Sequence, residues 1–201
     1  SLIKEISDFA DTFISETDKG IADAWNKGIK LAKNDMILIL NSGETLESNF
    51  LEQAKKLCQS NNKIYCFSAD LIYKDNPIKR IYPKPFLLPL GMYIAHNFTI
   101  VPTAFYRRFG LYSNLDYSMD YEWFLRNIND LRSKFITYPE IKAGNYPLGG
   151  LSDKYAIKGF KKNLYIQFKY LPFYLYPIII INYIKLSLQQ TIRRFLLRKK
   201  K

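Results

Sequence analysis

Two carboxylates occupy positions where a carboxylate can do chemistry. Glu44 ends the polar run Asn41-Ser42-Gly43-Glu44, which follows directly on the apolar run Met36-Ile37-Leu38-Ile39-Leu40. Asp120 is the second residue of the stretch Met119 to Leu131, in which Met119, Trp123, Leu125, Ile128 and Leu131 are spaced for a helix. A carboxylate can hold a divalent cation or accept a proton, and near a helix start it also has the plain role of stabilising the positive end of the helix. Glu122 lies two residues beyond Asp120, so a helix points the two apart; four residues before Arg126, it is expected to pair with that cation on the surface. No Ser-His or Cys-His pairing supports nucleophilic catalysis. The single histidine, His96, reads as a satisfied or exposed loop residue, and Cys58 and Cys66 read as core thiols. Two cysteines and one histidine cannot build a structural zinc set or a disulfide framework, which points to a reducing setting.

The elements that must position these groups follow from periodicity. With 201 residues, 48% apolar and 24% charged, the chain is long enough for one sizeable core and short for two. Leu2 to Ile14 carries helical spacing and ends in Thr12-Phe13-Ile14, a strand-like run. A loop, Ser15 to Gly20, leads to a helix over Ile21–Ala32, whose apolar face is Ile21, Ala24, Trp25, Ile29 and Ala32. The unbroken apolar run Met36 to Leu40 predicts a strand covered on both faces, as in a parallel sheet between helices. Such sheets bind ligands at the carboxyl ends of their strands, which directs attention to Asn41–Glu44. Further elements are a helix near 49–59, strands at 64–69 and 78–82 joined by Lys74-Asp75-Asn76-Pro77, a proline-marked loop at 83–89 and a strand at 135–138.

The run Ser15-Glu16-Thr17-Asp18-Lys19-Gly20-Ile21-Ala22-Asp23-Ala24-Trp25-Asn26-Lys27-Gly28, with the strand and acidic loop behind it, resembles the family 2 glycosyltransferases of bacterial polysaccharide assembly. Pro102-Thr103-Ala104-Phe105-Tyr106-Arg107 and Phe109-Gly110-Leu111-Tyr112 resemble that family's acceptor-side segment. Ser118-Met119-Asp120-Tyr121-Glu122-Trp123 resembles its general-base helix, and Gly149-Gly150-Leu151-Ser152 its closing turn. The resemblance spans roughly residues 10 to 155 and implies an α/β, GT-A (Rossmann-like) nucleotide-sugar-binding fold.

The resemblance implies inverting, metal-dependent transfer of a sugar from a nucleotide-diphosphate donor, a UDP-sugar first among them, to a glycan or lipid-linked acceptor in bacterial surface polysaccharide synthesis. Glu44 would hold Mn²⁺ or Mg²⁺ against the departing phosphates, and Asp120 would be the base. Asp18, Gly20, Asn26, Asn41 and Gly43 would bind the donor. A plain strand-to-helix turn capped by Asp18 explains Asp18 and Gly20 equally well, but not Asn26 inside a helix. The metal loop has Gly43 where the family carries a carboxylate, and Val101 stands where it carries a histidine. Family members open with a strand-helix-strand unit, and this chain begins where that unit would end, so it is expected to present an unpaired sheet edge. The alternative is a non-catalytic remnant that binds a membrane or a partner.

All 18 acidic residues lie within 1–153 beside 18 of the 30 Lys and Arg, whereas residues 154–201 hold the other 12 and no acid. The chain therefore divides into a neutral, partial glycosyltransferase-like domain, 1–153, and a basic, apolar-aromatic tail, 154–201. The apolar stretch 171–188 is interrupted by Pro172, Pro177, Asn182 and Lys185, which disfavours a crossing helix. Ile181, Ile184, Leu188, Ile192 and Phe195 beside Lys185, Arg193, Arg194 and Arg198 predict an amphipathic helix on an anionic membrane surface, and the resemblance implies that this surface is the cytoplasmic face of the bacterial inner membrane. Nucleic acid is the rival for a basic, aromatic tail, but the run Ile178 to Ile181 would be wasted on it.

Overall fold

The computed structural model describes residues 9–150 and 155–198, with side chains as far as Thr191. Leu2 to Asp8, Leu151 and Ser152, and the side chains of Ile192 to Arg198 therefore lie outside the described residues.

The elements follow in chain order: α1 (Ile21–Leu31), β1 (Met36–Leu38), β2 (Thr45–Leu46), α2 (Phe50–Leu57), β3 (Ile64–Tyr73) and β4 (Asn76–Ile81). After 3₁₀ turns at Pro85–Leu90 and His96–Phe98 come β5 (Thr99–Pro102), α3 (Thr103–Phe109), α4 (Met119–Arg126), α5 (Ile128–Leu131) and β6 (Phe135–Pro147). The chain continues with α6 (Ala156–Tyr170), a 3₁₀ turn at Phe173–Leu175 and α7 (Tyr176–Arg198).

The strands form one mixed sheet in the order β1-β5-β3-β6-β2, with β4 on the distal half of β3. Side chains alternate along β3, and both of its faces are covered. Ile64 and Cys66 join a core built with α1, α3, α4, α6 and α7. Tyr65, Phe67 and Ala69 join a second core under α2, around Phe50, Ala54 and Phe98. The Cys66 thiol is fully buried, and desolvation pushes it up to about 12, so it packs as a core group.

Three expectations need correction. Residues 12–14 form no strand and are exposed; a short β-favouring run has no ladder to join there. β1 is covered on both faces as expected, Ile37 by one core and Met36 and Leu38 by the other. Yet it pairs antiparallel with β5, Met36 opposite Pro102, because two apolar faces say nothing about strand direction. Its other edge has no strand partner among the described residues. The strand foreseen at 135–138 runs on to Pro147, parallel to β3 with a register shift near Ser68, and its second half accepts β2.

The β3–β4 hairpin turns on Lys74 and Asp75, both at positive φ, 48° and 63°, as a two-residue turn matched to sheet twist requires. At Gly144 on β6 a Cβ would lie 2.0 Å from the Thr45 carbonyl oxygen and 2.7 Å from the Phe98 ring. Only glycine lets β2 approach there, and β2 follows directly on Glu44.

Candidate functional site

The carboxyl end of β1, the start of α1 and the start of α4 meet around a cavity of about 810 Å³. That is ample for a ligand of nucleotide size. Its polar lining includes Lys19, Asn41, Asn97, Asp116, Ser118 and Asp120, and its aromatic lining includes Trp25, Phe98, Tyr117 and Phe160. The first half of α6 supplies Ala156, Gly159 and Asn163, so the tail forms part of the wall.

Asn41 to Glu44 is a tight turn in which the Glu44 amide donates to the Asn41 carbonyl at 3.2 Å. Gly43 sits at φ 87°, the left-handed position that such a turn assigns to glycine. The turn folds Glu44 back on itself: one carboxylate oxygen accepts from the Asn41 backbone amide at 2.8 Å. The other accepts from the side-chain amides of Asn41, at 3.4 Å, and Asn97. Burial raises the Glu44 acid above the usual carboxylate range, and these amide donors pull partly the other way.

From Glu44 a hydrogen-bonded chain leads inward. Asn97 Oδ1 meets His96 Nδ1 at 3.0 Å, His96 Nε2 meets the Tyr112 hydroxyl at 2.7 Å, and that hydroxyl meets the Tyr106 hydroxyl at 2.8 Å. Trp25 closes the set, its indole N–H donating to Asn41 Oδ1 at 3.1 Å while its ring lies 4.8 Å from the His96 ring. Burial lowers the His96 pKa, whereas the negative charge of Asp120 and the bond to Asn97 oppose that shift. Neutral His96 thus locks Asn97, and through it Glu44, in one orientation.

Asp120 lies in the first turn of α4, behind Ser118 in a left-handed conformation at φ 61°. Its Oδ1 accepts from the Tyr121 amide at 2.8 Å. Gly20, at φ 131°, opens α1, and its carbonyl accepts from Asp23 and Ala24. Asp120, Asn41 and Gly20 therefore line one cavity, with Gly43 and Glu44 in the turn just behind it.

Asp18 and Asn26 do not line that cavity. Asp18 joins Glu16 and Asp23 around Lys27, with the Asp18 oxygen at 2.8 Å from Nζ, and borders a separate groove of about 640 Å³ beside β1. It makes no side-chain cap of α1. Asn26 is committed to Tyr112: its Nδ2 donates to the Tyr112 carbonyl at 2.9 Å and its Oδ1 accepts from the Tyr112 amide at 3.0 Å. An asparagine inside a helix is thus explained as a clamp on the loop that carries Tyr112.

Glu122 does pair with Arg126, at 3.6 Å, but not on the surface. It is buried, with Ser113 donating at 3.0 Å and the Tyr170 hydroxyl at 2.7 Å, because α6 covers this face of α4. Thr103, Phe105 and Tyr106 of the segment matched to the acceptor side are also buried; Thr103 donates to the Asn34 and Asp35 carbonyls and fixes the start of α3 against the loop before β1. His96, Asn97 and Tyr112 were not foreseen as site residues. Asn97 carries no sequence signal, and only the folded loop brings it to Glu44.

Among the described residues no three His, Cys, Asp or Glu side chains converge as an ion cage. Glu44 offers one carboxylate whose oxygens keep spare lone pairs beyond the amides they accept from, which suits an ion that takes its other ligands from a substrate's phosphates and water.

The fold is a mixed α/β sheet with a polar cleft beside two helix starts and a strand end, and it has a likeness among solved structures. The crystal structure of residues 1–349 of TarS from S. aureus, a staphylococcal wall teichoic acid glycosyltransferase, is similar to this chain with a TM-score of 0.58 at 10% identity. The likeness covers 82% of this chain and 51% of that one, so the chain spans about half of that structure's length. No protein-family model and no curated protein matches the sequence.

Proposed function

We propose that this chain carries the catalytic cleft of an inverting glycosyltransferase that moves a sugar from a nucleotide-diphosphate donor to a glycan or lipid-linked acceptor in bacterial surface polysaccharide synthesis. The observation that carries the reading is that Asp120, Gly20 and Asn41 line one cavity, with Glu44 bonded to Asn41, in a fold similar to that of a glycosyltransferase. Asp120 accepts the proton of the acceptor hydroxyl as its oxygen attacks the anomeric carbon. The bond to the nucleotide diphosphate breaks on the opposite face, its electron pair leaving with the phosphate. Gly20 lets the donor approach the backbone closely, and Asn41 offers it an amide. Mn²⁺ or Mg²⁺, held by Glu44 and the donor's phosphates, would supply positive charge against the leaving diphosphate. Neutral His96, through Asn97, keeps Glu44 aimed while adding no charge of its own. The aromatic lining suits the flat faces of a base and the apolar face of a sugar.

The test is Asp120→Asn in the full chain: turnover should fall by about 10²–10⁴-fold with donor binding kept. Retained turnover would refute the assignment. A non-catalytic binding module is the second reading, favoured by the edge of β1 that has no strand partner among the described residues and by the single carboxylate in the Asn41–Glu44 turn. Transfer or donor hydrolysis by this chain would exclude it.

A further inference from the structure

The two helices that follow the sheet bury only part of what they carry. The inner side of α7 is well held: Ile179 is buried, Asn182 Nδ2 donates to the Leu90 carbonyl at 2.6 Å, and Tyr183 and Leu186 line a small cavity against α6. The Tyr176 ring packs 4.4 Å from that of Phe168, and its hydroxyl donates to the Phe168 carbonyl at 2.8 Å. At about 100° per residue, Pro177, Ile178, Ile181, Ile184 and Leu188 fall on the opposite side within an arc of about 120°. All five are exposed, Ile181 at 67% and Leu188 at 58%. Lys185 lies in the same arc. The stripe begins beyond the turn that carries Phe173 and Tyr174, 78% and 70% exposed. Large apolar groups this open, in one row, are not scattered surface residues but a face that something covers.

We propose that the Phe173–Leu175 turn and the outer face of α7 dock on an anionic lipid bilayer, with α7 lying in the interface plane. Charge decides between occupants. Residues 154–201 hold 12 Lys and Arg and no acid, and Lys158, Lys161 and Lys169 are exposed on α6. A second copy of this chain carries the same formal charge of +12 and the same acid-free tail, so pairing two tails would bring like charges together. Nucleic acid would satisfy the cations but leave the isoleucine row in water. A bilayer with anionic headgroups meets both demands, aliphatic side chains entering the acyl boundary and Lys185 staying at headgroup level. Crossing is a separate matter: among the described residues no helix is long and apolar enough to span a membrane. The docking surface does not rest on the catalytic reading; either can fail alone.

The test is flotation of the full chain with vesicles of phosphatidylcholine alone and of phosphatidylcholine with phosphatidylglycerol, for the parent and for Ile181→Asp/Ile184→Asp. Both substituted positions are exposed, so circular dichroism and the melting temperature should not change. The parent should float with the mixed vesicles and much less with the neutral ones, and the double variant should lose about tenfold or more in partitioning. A parent that stays unbound to mixed vesicles, or a variant that floats as the parent does, would overturn the proposal. So would a parent dimer in light scattering that the same substitutions dissolve, since the face would then cover a second copy.

Discussion

Replacing Asn26 by Ala separates the two roles that this residue can have. In the structure its amide spans the buried Tyr112 backbone, with contacts of 2.9 Å and 3.0 Å. Alanine removes both and strands the backbone N–H and C=O of Tyr112, a residue only 4% exposed. Two lost bonds that leave buried partners unsatisfied cost about 3 kcal/mol. For a chain of this size the melting temperature should fall by about 6–12 °C. The Tyr112 hydroxyl, which bonds both His96 and Tyr106, would shift with its backbone, and donor affinity would fall as a consequence. The assay is thermal unfolding by circular dichroism, paired with UDP titration well below the variant's midpoint. A loss of stability under about 0.5 kcal/mol with a large drop in UDP affinity would refute the clamp and make Asn26 a direct ligand contact.

Gly144→Ala should destabilise by about 3 kcal/mol or more, since the new methyl meets the Thr45 backbone rather than a movable side chain; an unchanged urea midpoint would contradict the β2–β6 packing described above. Stability should also fall as pH drops below about 6.5, because the unfolded chain then binds a proton on His96 that the fold, by burying the ring, holds off. The groups facing the ring are Asn97, Tyr112, Trp25 and the charge of Asp120, which offsets part of the effect. Urea midpoints across that range should flatten in His96→Asn relative to the parent, and parallel slopes would count against a neutral His96.

What the sequence revealed, and what it did not, divides along physical lines. Periodicity placed α1, α2 and the β3–β4 hairpin because each is decided within its own residues, the hairpin by its turn at Lys74-Asp75, although of the α1 face Ile21, Ala24, Trp25, Ile29 and Ala32 only Ile29 is buried, and Ala22 is buried while Ile21 is exposed. The direction of β1 was not legible, since it depends on a partner, β5, some 60 residues away that alternation does not name. The same holds for Glu122: its spacing to Arg126 was correct, but its burial is the work of Tyr170, 48 residues later. Within the site, Asp120, Gly20 and Asn41 stand out as polar residues or glycine at element ends, where strand-end logic looks first. Asn97 and Tyr112 act through contacts with Glu44 and His96 that no local pattern encodes.

The most direct test of the account is calorimetric titration of UDP into the folded chain with and without Mn²⁺, repeated on Glu44→Ala and Asn41→Ala. Saturable binding that depends on Mn²⁺ and is lost in Glu44→Ala is the predicted result, and it would locate a nucleotide at the end of β1. Absence of UDP binding by a chain that melts cooperatively, or metal-dependent binding indifferent to Glu44, would contradict it.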